Sequence, residues 1–169
     1  MPLRQVICLA CVVVLAGTVP TFAAEGDCRQ QNGVYRDNDN AFELTFQPAE
    51  SDAQAATHRF SVRVLKTGAM LDGYVMPSDP VDRSNGIIFY NCPEGDATGK
   101  DIAACTVWQG VVYGHEAGKI ETLPSGDQVA VSEILLPDFG PAIRRSDLWA
   151  KGKADVAPWD VLTLKGCAK

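Results

Sequence analysis

Histidine is nearly missing from this chain, with two in 169 residues, and beyond residue 24 its cysteines form no C-x-x-C pair. Structural zinc draws its ligands from such close pairs, because adjacent turns bring two sulfurs to one ion. Cys28, Cys92, Cys105 and Cys167 stand 64, 13 and 62 residues apart, and His58 and His115 are distant from one another, so no metal site is expected. Positive charge is in deficit: 15 Lys and Arg face 21 Asp and Glu, for a net charge of -6. A chain of that sign lacks the electrostatic footprint that phosphate backbones reward, which excludes nucleic acid as the expected partner. No N-x-[ST] acceptor and no G-x-S-x-G nucleophile elbow occur.

Two apparent motifs fail on their spacing. Gly95-Asp96-Ala97-Thr98-Gly99-Lys100-Asp101 has three residues between its glycines where a phosphate loop needs four, and Asp101 stands where a magnesium-binding hydroxyl belongs. Asp37-Asn38-Asp39-Asn40 begins like a calcium loop, but Phe42 and Pro48 occupy the positions of the required Gly and bidentate Glu. No cofactor is expected.

Long apolar runs are scarce as well. Val6 to Val19 is uncharged and mostly apolar over 14 residues, short of the roughly 20 that span a bilayer as a helix. It follows Arg4 and is broken by Pro20, and Thr21-Phe22-Ala23-Ala24 supplies small residues at the spacing a signal peptidase reads. Residues 1–24 are therefore read as a removable signal peptide. Cys11 is not read as a lipid-attachment site, because the apolar run continues past it through Val12-Val13-Val14-Leu15. Removal of 1–24 takes Arg4 and leaves a net charge of -7.

Residues 25–169 are expected to form a single disulfide-tied β domain, periplasmic or secreted, with no stable membrane span. Four cysteines in an exported chain predict two bridges. The favoured pairing is Cys92–Cys105, closing a short turn-rich loop, with Cys28–Cys167 tying the two ends. Loops of those lengths predict stabilisation of about 3 and about 5 kcal/mol on the chain-entropy model.

The residue pattern is mostly of period two. Phe42, Leu44 and Phe46 alternate with Glu43, Thr45 and Gln47, and Phe60, Val62 and Val64 with Arg59, Ser61 and Arg63, as in strands with one face on a core. Ile87 to Tyr90 reads as a buried strand, entered by a reversal at Asn85-Gly86. Thr106–Tyr113 and Lys119–Leu123 read as a hairpin around Gly114–Gly118. Val129–Leu136 fits either strand or helix, the Ala-rich 53–56 stretch allows a helical turn, and Trp159–Leu164 is the last strand. Pro141 to Trp149 is the best helix, with Pro141 at its first position. The expectation is a mainly β fold: a small antiparallel barrel or sandwich of about seven strands, with one short helix near residues 141–150. Gly33-Val34-Tyr35 is similar to the Gly-x-Trp signature of lipocalins, with Tyr where that family has Trp; three residues identify no family.

Three functional classes stay in competition. The leading one is an exported, non-catalytic binding protein. Its contact surface would be the loop between Cys92 and Cys105, which presents Glu94, Asp96, Lys100 and Asp101 on covalently pinned ends and so lowers the ordering cost of binding. An acidic loop on an acidic domain suits a cationic partner, either a basic exported protein such as lysozyme or another envelope component. A small glycan hydrolase would need a carboxylate pair, for which Glu116, Glu121 and Glu133 are candidates because they flank strands. A barrel holding a small apolar ligand would need an interior cavity. The histidines read as surface residues. Trp108, Trp149 and Trp159 read as core, with an exposed sugar platform as the alternative for Trp149 or Trp159, and Arg144-Arg145 as either an anion grip or a complement to a helix end.

Overall fold

The computed structural model describes residues 28–48 and 56–169; the leader, its cleavage site and most of the 53–56 stretch lie outside them. A short 3-10 turn, Gln30–Asn32, leads into strands β1 (Gly33–Asp37), β2 (Phe42–Gln47), β3 (His58–Val64), β4 (Met70–Pro77) and β5 (Ser84–Phe89). Helix α1 (Gly99–Cys105) precedes β6 (Thr106–Val111), β7 (Tyr113–Glu116), β8 (Lys119–Thr122) and β9 (Glu133–Leu135). Helices α2 (Phe139–Arg145) and α3 (Asp147–Ala150) follow, and β10 (Val161–Cys167) is the last strand. Both expected disulfides are present, Cys28–Cys167 and Cys92–Cys105, which fits an oxidising, exported location. No helix among the described residues is long and apolar enough to cross a membrane.

Among the described residues the ten strands join one antiparallel sheet in the order β6-β5-β4-β3-β2-β1-β10-β9-β7-β8. The sheet curls into an open half-barrel. The expectation of about seven strands in a closed barrel or a sandwich is therefore corrected in count and in closure. The strands from β1 to β6 form a meander, and β10 returns to pair with β1, Tyr35 opposite Leu164 and Asp37 opposite Leu162. The Cys28–Cys167 bridge lies at that junction, reinforced by Ala168 N donating to Asn32 O at 2.8 Å.

Alternation places one side chain in two on the inner face. Phe42, Leu44 and Phe46 on β2 and Phe60, Val62 and Val64 on β3 are buried there, as their spacing predicts. Tyr35, Leu71, Val75, Ile88, Trp108, Ile134 and Leu162 complete the lining. Helices α2 and α3 fill the remaining space with Phe139, Ile143 and Leu148. The Phe139 ring meets Trp108 and Phe42 edge-on, at centroid distances of 6.3 and 6.0 Å, an arrangement aromatic quadrupoles favour. The concave interior is thus occupied by the protein's own rings.

Several local expectations are displaced. Asn85-Gly86 makes no reversal but lies inside β5, paired with Val111 and Gly110. Gly86 is required there because a Cβ would sit 2.6 Å from Val112 Cγ2 and 2.8 Å from Trp108 Cζ3. Thr106–Tyr113 does not pair with Lys119–Leu123 as one hairpin. Its first part, β6, pairs with β5, while Tyr113 begins β7, which pairs with β8 around Ala117-Gly118. Long-range pairing outweighs the nearest sequence neighbour in that segment. The ambiguous 129–136 segment yields the short strand β9. The helix near 141–150 is two pieces, starting at Phe139, with Pro141 third; that early a missing N–H leaves no intrahelical bond unmade. Asp160 anchors its start, accepting from Asp138 N at 3.0 Å and Phe139 N at 3.1 Å. Extended backbone at Ser146 divides the pieces.

Phe60 and Gly73 are opposite each other on β3 and β4, and a Cβ on Gly73 would come 2.1 Å from the Phe60 ring. The ring therefore lies flat over the bare backbone. Gly73→Ala is expected to destabilise the fold by about 1–3 kcal/mol through overpacking. Phe60→Leu in the Gly73→Ala background should recover part of that loss, as read from urea denaturation of the four members of the cycle.

Candidate functional site

Three surface regions gather polar chemistry. The first is a cleft of about 590 Å³ where the start of β3, the end of β4 and the start of β5 meet the segment after β8. Asp82, Arg83, Glu121 and Ser125 line it, with His58 at its back. His58 is 4 % exposed, so the surface reading of this histidine is corrected. It begins the alternation His58, Phe60, Val62, Val64 and so falls on the buried face of β3; the period-two pattern of that strand starts one step earlier than Phe60. Its Nε2–H donates to Pro124 O at 2.8 Å, and Nδ1 lies 3.0 Å from Thr57 Oγ1. Burial disfavours the imidazolium and pulls the pKa below its ordinary value, while the Pro124 carbonyl opposes that shift.

The second region is the Cys92–Cys105 excursion between β5 and β6. Glu94 and Asp96 are exposed in the bend ahead of α1, and Lys100 and Asp101 are exposed on its first turn. The expected loop is therefore helical over its second half. Thr98 and Asp101 build a reciprocal capping box: Asp101 N donates to Thr98 Oγ1 at 3.3 Å, and Thr98 N donates to Asp101 Oδ2 at 3.0 Å. Hydrogen bonds from the Thr98 side chain and backbone hold the Asp101 carboxyl below the usual carboxylate range. Beside the excursion is a cleft of about 480 Å³ in which Asp101 faces Arg145, Asp147 and Lys151. Lys151 Nζ donates to Asp147 Oδ2 at 2.8 Å, so that part of the cleft is internally neutralised. Sequence reasoning missed these helix residues as neighbours of the loop, because their approach depends on how α2 and α3 fill the sheet.

The third region is the outer face of β7, β9 and β10. His115 Nδ1 lies 2.7 Å from Glu133 Oε2. Trp159 is 58 % exposed, the outcome weighed as the alternative to core packing. Trp108 is buried with Nε1 donating to Pro137 O at 2.8 Å, and Trp149 packs at the core margin with the Arg144 guanidinium 5.3 Å from its ring centroid. No protein-family model, curated protein or solved structure matches the chain. Its chemistry has to be read from its own residues.

Two of the three carboxylates considered for glycan hydrolysis, Glu121 and Glu133, are on opposite faces of the sheet, while Glu116 is diagonal to Glu121 across β7 and β8. Glu121 is opposite inward-facing Gly114 and lines the first cleft, whereas Glu133 is on the outer face against His115. Glu116 accepts from Ser132 N at 2.7 Å. Among the described residues no group of three or more His, Cys, Asp or Glu is placed to hold a metal ion.

The buried His58 generates a stability prediction. Both folded and unfolded chains carry a neutral imidazole well above its ordinary pKa of 6.5. As pH falls through that value the unfolded chain takes up a proton that the folded chain resists, so stability decreases toward acid. Denaturation midpoints measured from about pH 7.5 to about pH 5 should fall for the native chain. In His58→Gln the component of that slope owed to this residue should vanish.

Proposed function

We propose that this protein is an exported, non-catalytic binding protein that engages a cationic partner through the Cys92–Cys105 excursion. The observation that carries the reading is the excursion's combination of exposure and restraint. Its two ends are covalently joined, its helix is closed by a capping box, and its side chains from Pro93 to Ala104 stand mostly in solvent. A surface already held in one shape loses little conformational freedom on association. Glu94, Asp96 and Asp101 outnumber Lys100.

Exposed Ile102 adds an apolar contact amid those charges. The filled interior weighs against an apolar ligand held inside the sheet, since aromatic side chains occupy that space. The separation of Glu121 from Glu133 across the two faces of the sheet weighs against a carboxylate-pair hydrolase built from them. The partner class that suits the charge is a basic exported protein.

The reading is tested with lysozyme as a basic probe, titrated calorimetrically into the oxidised chain at low and moderate salt. Binding should weaken several-fold as ionic strength rises from about 0.05 to about 0.2 M, because exposed charge pairs are screened over about 10 Å. Glu94→Gln with Asp96→Asn should weaken it further while leaving the denaturation midpoint unchanged. Binding indifferent to both salt and the double substitution removes the excursion as the contact surface.

A further inference from the structure

The outer face beside Trp159 holds a second arrangement, independent of the acidic excursion. Along β10 the residues alternate, with Leu162 buried and Val161 and Thr163 turned outward. Register places Glu133 opposite Thr163 and, on the next strand, His115 opposite Glu133. Trp159 lies two residues before this row, ahead of the strand, and lines the same cleft as Val161 and Thr163. Its ring is not loose: Nε1 donates to Asp39 Oδ2 at 3.0 Å, from the turn between β1 and β2. That turn is itself fixed, because Asp37 Oδ1 accepts from Ala41 N and Phe42 N, both at 2.8 Å. Asn38, Glu133, Trp159, Val161 and Thr163 enclose an open cleft of about 240 Å³.

We infer that this cleft is a binding site for one pyranose ring of a neutral saccharide. A pyranose is amphipathic: its C–H face packs on an aromatic plane, and its rim carries vicinal hydroxyls that need donors and acceptors in fixed places. The cleft supplies both halves. The Trp159 indole, exposed and anchored through its N–H, offers the plane, and Val161 adds a second apolar surface. The Glu133 carboxylate accepts hydroxyl protons, the Asn38 amide both donates and accepts, and the Thr163 hydroxyl completes the rim. Hydrogen bonding to His115 fixes Glu133 in position, so neither the plane nor the acceptor has to be ordered on binding. A purely apolar ligand fits poorly, since it would strip water from a carboxylate and an amide without replacing their hydrogen bonds.

The test uses the oxidised chain labelled with 15N and titrated separately with N,N′-diacetylchitobiose, cellobiose and maltose to about 50 mM, the range of weak single-ring binding. The Trp159 indole N–H is a direct reporter, resolved from those of Trp108 and Trp149 by substitution. At least one saccharide should shift the Trp159 indole and Thr163 amide signals saturably while the Trp108 indole stays in place. Trp159→Ala should weaken binding at least about tenfold, and Thr163→Val should weaken it while the Trp159 ring remains in place. Both positions are on the outer face, and the unchanged dispersion of the remaining amides reports that the fold persists. Glu94→Gln with Asp96→Asn should leave saccharide binding as it is, so failure here and failure of the cationic-partner reading are separable. No saturable shift with any of the three, a shift that survives Trp159→Ala, or a shift with benzyl alcohol and none with saccharides would overturn the assignment.

Discussion

The one-residue connection at Val112 constrains the whole molecule. β6 ends at Val111 and β7 begins at Tyr113, yet seven strands lie between β6 and β7 in the sheet. In a flat sheet those two strands would stand roughly 38 Å apart, whereas a two-residue step reaches about 7 Å. The open sheet must therefore curl until the end of β6 reaches the start of β7 at Val112. Val112 crosses the gap, buried, with its N–H donating to Ser84 O at 2.8 Å, and Ser84 Oγ accepts from Leu123 N on the far side. The opening in the hydrogen-bonded ladder is thus bridged by the chain itself. That curvature creates a concave interior, which is packed with aromatic rings and filled by two short helices. Packing at the density of a protein interior leaves no alternative, since each void forfeits contacts on one side.

A filled interior displaces ligand chemistry to the rim and the outer face, and the three polar regions lie there. Each is positioned by a different device. At the rim, the segment from Pro124 to Gln128 rests on His58 and seals the end of the core. At the edge strand, a disulfide and a capping box hold a charged helix against the ends of α2 and α3. On the outer face, strand alternation turns Val161 and Thr163 outward, and a hydrogen bond to Asp39 holds Trp159 beside them. The two proposed binding surfaces accordingly differ in physics. The acidic excursion acts through field, which salt screens, and the indole cleft acts through contact and hydrogen bonding, which salt barely touches.

Much of this architecture is legible in local pattern. The alternations at 42–47 and 59–64 identify β2 and β3 with the correct inner faces, His58 excepted, and cysteine parity together with loop length predicts both bridges. What is not legible depends on contacts between distant parts of the chain. Turn chemistry misleads at Asn85-Gly86 because the glycine answers to Trp108 and Val112 packed over it, not to a reversal. The segment 106–123 resembles one hairpin because nothing local marks Val112 as the point where the chain leaves one end of the sheet for the other. β1 and β10 pair across more than a hundred residues, and no periodicity encodes that choice. Of the candidate sites, the acidic residues between Cys92 and Cys105 are visible as composition. Their neighbours Arg145, Asp147 and Lys151 are not, since helix packing brings them there.

Trp159 differs from the other exposed apolar side chains in being a large ring held by a hydrogen bond beside a polar cleft. An indole buried in the core would contribute on the order of 2–3 kcal/mol from apolar area removed from water, and this one leaves more than half its surface hydrated. The row beside it is filled by Val161 and Thr163, residues that suit a strand without presenting an aromatic plane. Its hydrogen bond to Asp39 links it to a neighbouring turn, but that turn is already held by Asp37 through two backbone N–H groups. The ring thus stands anchored in water beside a carboxylate held by His115. The proposed saccharide, with one apolar face and a hydroxylated edge, would use both that plane and that acceptor.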